Sequence, residues 1–140
     1  MENKMKLVFS AISQNESFAR AAAGAFASQL NPTIDEISDI KTAVSEAVTN
    51  AVVHGYRDTA GEVTMTITVK GRKLFLTVED TGVGIKDVRL AMQPFYTGGN
   101  SEERSGMGFT VMETFMDSLE VISAPGHGTV VKMTKNISEK

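Results

Sequence analysis

The chain has 140 residues, 41% of them hydrophobic, and a formal net charge of −3 at pH 7. This length suits one ordinary domain with a single core, and the mild acidity argues against a surface dedicated to nucleic acid or anionic lipid. Cysteine is absent, which excludes disulfides and thiolate metal sites. Together with a polar N-terminus and no apolar run of membrane-spanning length, this predicts a cytoplasmic protein with no membrane attachment.

The first half of the chain predicts one strand followed by two helices. A short strand is expected over residues 6–12. Residues 13–16 have the spacing of a capping box, which satisfies free amide groups at a helix start, and predict an alanine-rich helix to about Leu30. Residues 33–36 repeat that spacing and open a long helix that ends at Gly55, a suitable C-terminal cap.

The second half predicts two pairs of strands separated by a loop and a helix. In chain order these elements are strands over 63–69 and 73–79, a long loop over 94–107, a helix over 108–116, and strands over 119–124 and 129–134. The tail, residues 136–140, is expected to fray. Because strands and helices each cluster along the chain, we expect helices layered on one face of a mixed sheet.

The predicted long helix carries Glu46, Asn50 and His54 one turn apart. At about 100° per residue, the apolar stripe leaves Asn50 and His54 at its edge and Glu46 further round, away from the core. A carboxylate one turn from a carboxamide suits a general base beside a ligand for Mg²⁺, a hard cation that accepts neutral oxygen donors. Taken alone, the same pattern is also typical of a solvated helix face.

Asp80 directly follows a predicted strand, and two glycines, Gly82 and Gly84, come next. Glycine lets a backbone turn sharply and approach a ligand closely. A carboxylate at a strand end can accept a hydrogen bond from an exocyclic amine such as that of adenine. A plain Asp-Gly turn is the alternative interpretation.

Two further candidate sites lie downstream. Gly106, Met107 and Gly108 open the third helix, where free amide groups can bind phosphate without help from side chains. Thr129 begins the last strand, and its hydroxyl could contact a ligand, although threonine is also a good strand former. Each signal is weak by itself.

Signatures of several enzyme classes are missing from the sequence. There is no phosphate-binding loop of the form G-x-x-x-x-G-K-[ST], the two histidines form no zinc motif, and G-x-S-x-G does not occur. These absences exclude P-loop enzymes, zinc-motif enzymes and nucleophile-elbow hydrolases.

The motifs at Glu46, Asp80, Gly106 and Thr129, in this order and with a loop between the second and third, resemble the ATP-binding family named for gyrase, Hsp90, histidine kinases and MutL. The resemblance covers about residues 10–133. It implies the Bergerat ATP-binding fold, an α+β two-layer sandwich with a mixed, mostly antiparallel sheet and helices on one face. It also implies ATP and Mg²⁺ as cofactors, and a single ATP-binding kinase domain over 1–140.

The resemblance implies a role for each matching position. Glu46 is the general base, Asn50 binds the Mg²⁺ that bridges the phosphates, Asp80 holds the adenine amino group, and Thr129 supports the adenine end. The other implied nucleotide contacts are the pocket glycines Gly82 and Gly84 and the phosphate lid with Thr97, Gly98, Arg104, Gly106, Met107 and Gly108. Arg104 either contacts the terminal phosphates or is a solvated loop charge.

Residues 39–51 and 104–110 carry a closer likeness, to the sporulation anti-sigma factors of endospore-forming bacteria. That likeness implies a homodimeric serine kinase that holds a sigma factor away from RNA polymerase and phosphorylates a serine of an anti-anti-sigma protein. It implies no direct contact with nucleic acid. We expect an exposed face of the first helix to contact the sigma factor through Arg20, the one basic residue of that alanine-rich helix.

Three other functions use a similar ATP site. A histidine kinase needs an acceptor histidine, and none precedes Asn50. An ATP-gated clamp carries a further domain after the ATP site, and a nucleotide-sensing module has no useful catalysis. The outward position expected for Glu46 suits a protein substrate that docks from outside, and it therefore favours the serine kinase.

Overall fold

The computed structural model describes residues 2–56, 60–93 and 108–138. Its strands are β1 (Glu2–Ser10), β2 (Glu62–Lys70), β3 (Lys73–Asp80), β4 (Ser118–Ser123) and β5 (Thr129–Asn136). They form one sheet in the spatial order β1-β2-β3-β5-β4. The predicted α+β class is confirmed. Every pairing in the described residues is antiparallel, so this sheet lacks the parallel pair that a mixed sheet would include.

The helices lie on one face of this sheet, as predicted. They are α1 (Gln14–Ala27), α2 (Ile34–Thr49), α3 (Val88–Ala91) and α4 (Gly108–Phe115), with a 3₁₀ turn over Ser28–Leu30 and a π-helix over Asn50–Gly55. Side chains of α1, α2 and α4 share one apolar core with the inner face of the sheet. Within the described ranges, every helix is too short or too polar to traverse a lipid bilayer.

The inner face of the sheet is apolar because three strands alternate between buried and half-exposed positions. The buried positions of β2, β3 and β5 include Val63, Met65, Ile67, Val69, Leu74, Leu76, Val78, Val131 and Met133. Threonines such as Thr64, Thr66 and Thr68 occupy the other face and are only half-buried. This alternation confirms the predicted strand period, and burial of the apolar set against the helices stabilises the fold.

Small residues let α1 and α2 pack closely. Ala19, Ala23 and Ala27 are fully buried on the inner side of α1. A methyl group built on Gly24 would lie 3.1 Å from Cδ of Lys41, so the stem of Lys41 rests on that glycine. α1 therefore lies directly against α2, the helix that carries the candidate base.

One of the two predicted capping boxes is confirmed. The hydroxyl of Thr33 accepts the amide of Glu36 at 3.1 Å, and the Glu36 carboxylate accepts the amide of Thr33 at 2.8 Å. The box at Ser13 is wrong, because Ser13 has helical backbone angles and its side chain makes no cap hydrogen bond. A capping serine must lie outside the helical region for its hydroxyl to reach the third amide.

The first strand lies earlier than predicted, and one short helix was not predicted. The first strand is Glu2–Ser10 rather than residues 6–12, because it pairs with β2 along its whole length, from Glu2 opposite Lys70 to Ser10 opposite Glu62. The short helix α3 was not predicted. Its start is capped by Asp87, whose Oδ1 accepts the amide of Leu90 at 3.1 Å.

The described part of the tail is held in place rather than frayed. Arg72, in the turn between β2 and β3, donates to the carbonyls of Leu30, Ile137 and Ser138. The amide of Ser138 in turn donates to Oε2 of Glu36 at 2.8 Å. Ile137 is buried. These contacts tie the end of the sheet to the start of α2.

Candidate functional site

Asp80 is the last residue of β3, and its carboxylate points inward with only 8% of the residue exposed. The amide of Gly82 donates a 2.9 Å hydrogen bond to Oδ1, and the amide of Thr129 also donates to this carboxylate. Burial raises the pKa of Asp80 by disfavouring the charged form, while the two amides act in the opposite direction. A carboxylate has about four lone-pair sites, so it can accept a further donor.

Thr129 lies beside Asp80, its partner in the β3–β5 register. Its Oγ1 is 2.8 Å from Oγ of Ser123. The Ser123 hydroxyl donates to the Gly128 carbonyl at 2.8 Å and accepts the Ile85 amide at 2.7 Å. Ser123 therefore links the start of β5 to the loop after β3. Sequence reasoning missed this residue, since a serine at a strand end carries no distinctive signal.

The two pocket glycines are required by close backbone contacts. A methyl group on Gly82 would lie 2.0 Å from the carbonyl oxygen of Gly55, and the neighbouring amide of Val83 donates to that oxygen at 2.8 Å. Gly84 has φ +77°, and a methyl group there would lie 2.0 Å from the carbonyl oxygen of Ala124. Side chains are excluded at both positions, so the loop after β3 can lie close to the end of the π-helix and to the residue after β4.

Glu46 and Asn50 meet the first residue of α4. A methyl group on Gly108 would lie 3.2 Å from both terminal atoms of Asn50 and 3.3 Å from Oε1 of Glu46. The structure thus brings three predicted site residues together. Glu46 is half-buried and its carboxylate lies under the start of α4, a more enclosed position than the helix angle alone indicated.

A π-helix, Asn50–Gly55, joins the two ends of the site. Its wider turns are rare in proteins and are often found at functional sites. At its far end, a methyl group on Gly55 would lie 3.0 Å from Cγ of Asp80. One short segment therefore has Asn50 at the Glu46 end of the site and Gly55 at the Asp80 end.

Tyr56 is a second residue that sequence reasoning missed. Its hydroxyl donates to the carbonyl of Glu62 and accepts the amide of Thr81 at 2.9 Å. A methyl group on Gly61 would lie 2.2 Å from a ring carbon of Tyr56, so that glycine makes room for the ring. The side chain fixes the residue after Asp80 against the start of β2. Its sequence signal is weak, an aromatic residue directly after the glycine that ends a helix.

Five predicted nucleotide contacts lie outside the described residues and stay predictions: Thr97, Gly98, Arg104, Gly106 and Met107.

Arg20 lies on α1 with 42% of its side chain exposed, and its Nε is 3.7 Å from Oε2 of Glu16 one turn earlier. This Glu16 oxygen is buried and accepts no hydrogen bond in the described residues, so the ion pair is only partly exposed. Both residues of this ion pair belong to α1, and the predicted contact with a sigma factor stays a prediction.

The residues fit a metal ion that arrives with a nucleotide. In the described ranges, no three His, Asp or Glu side chains are grouped as metal ligands. Mg²⁺ on a nucleotide needs few protein ligands, because it keeps several waters and takes phosphate oxygens. The carboxamide of Asn50 lies beside the start of α4, and it suits the role of that single protein ligand.

The arrangement has two chemically different ends. Asp80 and Thr129 offer buried acceptors and a hydroxyl at one end, which suits a flat heterocycle with an amino group. At the other end, Gly108 begins a helix whose first amides favour an anion, and Glu46 and Asn50 lie beneath it. Such a site can bind a nucleotide lengthwise and present its phosphates to a carboxylate.

Comparison with known proteins agrees with this geometry. Residues 9–135 match the family described as histidine kinase-like ATPase domain. The chain is 58% identical over 135 residues to the anti-sigma F factor of Thermoanaerobacter sp. (strain X514), covering 96% of this chain and 94% of the relative. It is 49% identical over 140 residues to the anti-sigma F factor of Bacillus subtilis (strain 168), covering 99% and 96%.

These matches span nearly the whole chain and include both ends of the site. The site residues from Glu46 to Thr129 all fall within the matched segment. The chain therefore belongs to the histidine kinase-like ATPase domain family and, within it, to the family of anti-sigma F factors.

Proposed function

We propose that this protein is an ATP-dependent anti-sigma factor of sporulation that binds and inhibits a sigma factor. We also propose that it is a protein serine kinase that phosphorylates an anti-anti-sigma partner. It acts in the cytoplasm, and residues 1–140 form one domain. The observation that carries the kinase assignment is the meeting of Glu46, Asn50 and Gly108 at the start of α4. The sigma-factor role rests on the names of relatives 49–58% identical to this chain.

The adenine of ATP occupies the end formed by β3 and β5. Asp80 accepts a hydrogen bond from the exocyclic amine, which its buried position and remaining lone pairs support. Thr129 is paired with Asp80 in the strand register and therefore lies beside it. Gly82 and Gly84 allow the loop after β3 to pack closely, so that it forms one side of the pocket. Burial excludes water, which strengthens a hydrogen bond to the buried carboxylate.

Phosphoryl transfer needs positioning and charge neutralisation more than covalent help from the protein. The substrate serine Oγ attacks the γ-phosphorus, its proton passes to the carboxylate of Glu46, and the bond between the γ-phosphorus and the bridging oxygen of ADP breaks. The half-buried place of Glu46 beneath α4 supports this role. A general base of this kind contributes about 10²–10⁴-fold to the rate.

Charge on the phosphates is handled at the start of α4. Asn50 would hold Mg²⁺, which would neutralise charge on the phosphates. Amides in the first turn from Gly108 point toward the phosphates. The lid with Thr97, Gly98, Arg104, Gly106 and Met107 belongs to this proposal from sequence resemblance.

The partners dock on the helical side of the molecule. Phe18 is 55% exposed on α1, and 42% of the Arg20 side chain is exposed. The two residues are two positions apart, so they lie on different sides of the helix, and Arg20 is the one proposed to contact the sigma factor. Arginine is enriched among the residues that anchor protein interfaces. α1 packs on α2, the helix that carries Glu46, so a partner bound to α1 contacts the same helical layer as the base. The active form is a homodimer with no direct contact to nucleic acid and no membrane.

One labelling experiment tests the proposal. The protein is incubated with γ-labelled ATP, Mg²⁺ and a candidate anti-anti-sigma protein, and the label is mapped. Serine label on the partner supports the kinase. Label on a histidine of the chain would instead assign a histidine kinase, and free phosphate alone would assign an ATP-gated clamp. Retention of a sigma factor in the presence of ATP tests the inhibitory role in a parallel binding assay.

A further inference from the structure

Lys135 is a buried lysine outside the nucleotide site. It lies on the inward face of β5 with 9% of the residue exposed. Its ammonium donates a 2.7 Å hydrogen bond to the carbonyl of Phe115 and forms an ion pair of 3.3 Å with Oδ2 of Asp39. Lysine is seldom buried in this way without paired partners, so the position calls for a reason beyond packing.

The two partners of Lys135 belong to different helices. Phe115 is the last residue of α4, where carbonyl groups have no intrahelical amide to accept and favour a cation. Asp39 lies in α2. Lys135 thus joins one strand to two helices, and it does so at the C-terminal end of α4.

The chain after α4 is fixed to the same strand. The amide of Asp117 donates to the Thr134 carbonyl at 2.8 Å, and the amide of Asn136 donates to Oδ2 of Asp117 at 2.5 Å. The C-terminal end of α4 is therefore held on β5 by backbone and side-chain contacts on both sides of Lys135.

The opposite end of α4 is the site end. Gly108 lies over Glu46 and Asn50, close enough that a methyl group would touch both. α4 has eight residues, so it is about 12 Å long. A short helix moves nearly as a rigid rod, and a tilt at its C-terminus displaces its first amides by a comparable distance.

We propose that Lys135 is a positioning residue that anchors the C-terminus of α4, so that its first turn stays over Glu46 and Asn50. This inference rests on the proposed function, since it takes the start of α4 to face the phosphates of ATP. A buried ion pair adds little net stability compared with apolar packing. The ammonium instead fixes the direction of α4, because it binds the carbonyl of Phe115 at 2.7 Å and the carboxylate of Asp39 at 3.3 Å.

The test compares Lys135→Met with Lys132→Met. Lys132 lies on the same strand but is exposed on the other face of the sheet, so it controls for the loss of a lysine. Amide hydrogen exchange over residues 109–115 is measured without nucleotide, and affinities for ATP and adenosine are measured by calorimetry. We expect faster exchange in α4 and about tenfold weaker ATP binding for Lys135→Met, the low end of outer-shell effects, with adenosine affinity unchanged.

The adenosine arm separates positioning from general loss of structure. A merely structural role would weaken ATP and adenosine alike, because Asp80 and Thr129 would be disturbed together with α4. Asp39→Asn removes the negative charge of the second partner and should change exchange and ATP affinity in the same direction. If Lys135→Met does not fold, Asp39→Asn decides the question by the same two measurements.

Unchanged exchange in α4 with an unchanged ratio of ATP to adenosine affinity, in a folded variant, would overturn the anchoring role. An equal loss of both affinities would overturn it as well. Failure of the wild-type protein to bind ATP would instead count against the proposed function, and the exchange comparison would still test the anchor.

Discussion

Gly82 lies so close to Gly55 that a methyl group on Gly82 would stand 2.0 Å from the Gly55 carbonyl oxygen. This contact presses the loop after β3 onto the end of the helix that carries Asn50. Backbone packing thus fixes the loop after Asp80 to Gly55, at one end of the π-helix, and Asn50 begins the other end of that helix.

The contact predicts the effect of Gly82→Ala. The methyl group cannot fit without moving backbone, so we expect a loss of about 1–3 kcal/mol in the free energy of unfolding together with loss of ATP binding. Urea denaturation and calorimetry measure the two effects. Gly71→Asn is the matched control, since Gly71 has φ +58° and open space around it, and asparagine tolerates that conformation. Equal ATP affinity in Gly82→Ala and wild type would contradict the close-contact argument.

The role of Glu46 predicts a kinetic phenotype. Glu46→Gln keeps the shape of the side chain but cannot take the serine proton, so phosphoryl transfer should fall about 10²–10⁴-fold with ATP affinity unchanged. Single-turnover transfer to the anti-anti-sigma partner measures the rate. Glu113→Gln makes the same exchange of carboxylate for carboxamide at an exposed position of α4. This control should transfer phosphate at the wild-type rate. If Glu46→Gln transfers phosphate as fast as wild type, Glu46 is not the base.

The proposed role of Arg20 predicts weaker binding of the sigma factor with unchanged binding of ATP. Arg20→Glu reverses a charge on the exposed face of α1 and should weaken sigma-factor binding by about tenfold or more, while ATP affinity stays at the wild-type value. Lys132→Glu makes the same reversal on the outer face of the sheet and should leave the sigma factor bound. Surface plasmon resonance with immobilised sigma factor compares the two, and an undiminished affinity of Arg20→Glu rejects the contact.

The raised pKa of Asp80 predicts a pH dependence of stability. Burial disfavours the carboxylate, so the folded protein binds a proton at Asp80 more readily than the unfolded chain. This contribution to stability is fully present below the unfolded pKa and is lost as pH rises through the higher folded pKa. Asp80→Asn lacks the titration.

The melting temperature of Asp80→Asn minus that of wild type should therefore increase as pH rises from about 4 toward 7. Thermal unfolding at a series of pH values measures this difference. A difference that shrinks over this range would mean that the amide donors of Gly82 and Thr129 outweigh burial.

Arg72 and the three carbonyls that it contacts, those of Leu30, Ile137 and Ser138, form a clamp between the β2–β3 turn and the C-terminal segment. This clamp predicts an effect on stability that is independent of catalysis. Lysine in its place keeps the charge but cannot reach the carbonyls of both Leu30 and Ser138, so Arg72→Lys should lower the free energy of unfolding by about 1–3 kcal/mol. Lys70→Met removes an exposed lysine from the same hairpin and should change stability by less than about 0.5 kcal/mol. Equal effects of the two substitutions in urea denaturation would show that the clamp contributes nothing.

Much of the fold follows from local sequence chemistry. The Thr33 capping box and the alternation of threonine with apolar residues in β2 can both be read from residues close together in the sequence, and both are confirmed. β1 was placed too late, because Glu2, Asn3 and Lys4 are polar and only their pairing with β2 reveals a strand. Ser13 matched a motif whose backbone geometry the chain does not adopt.

The candidate site was predictable in its motifs but not in its supports. Asp80 and Asn50 stand in recognisable sequence patterns, whereas Ser123 and Tyr56 act through hydrogen bonds to residues distant in sequence. The π-helix was also missed, since its residues continue the apolar pattern of α2. These features depend on tertiary contacts, which a one-dimensional pattern does not encode.

The π-helix limits how this protein can be engineered for heat resistance. Gly55 directs its carbonyl to the amide of Val83 rather than along an α-helical ladder. Deleting one residue from Asn50–Gly55 to restore regular hydrogen bonds would rotate the helix end by about 100° and carry Gly55 away from Asp80. A thermostable variant must keep the length of this segment and draw its gains from surfaces such as the outer face of the sheet.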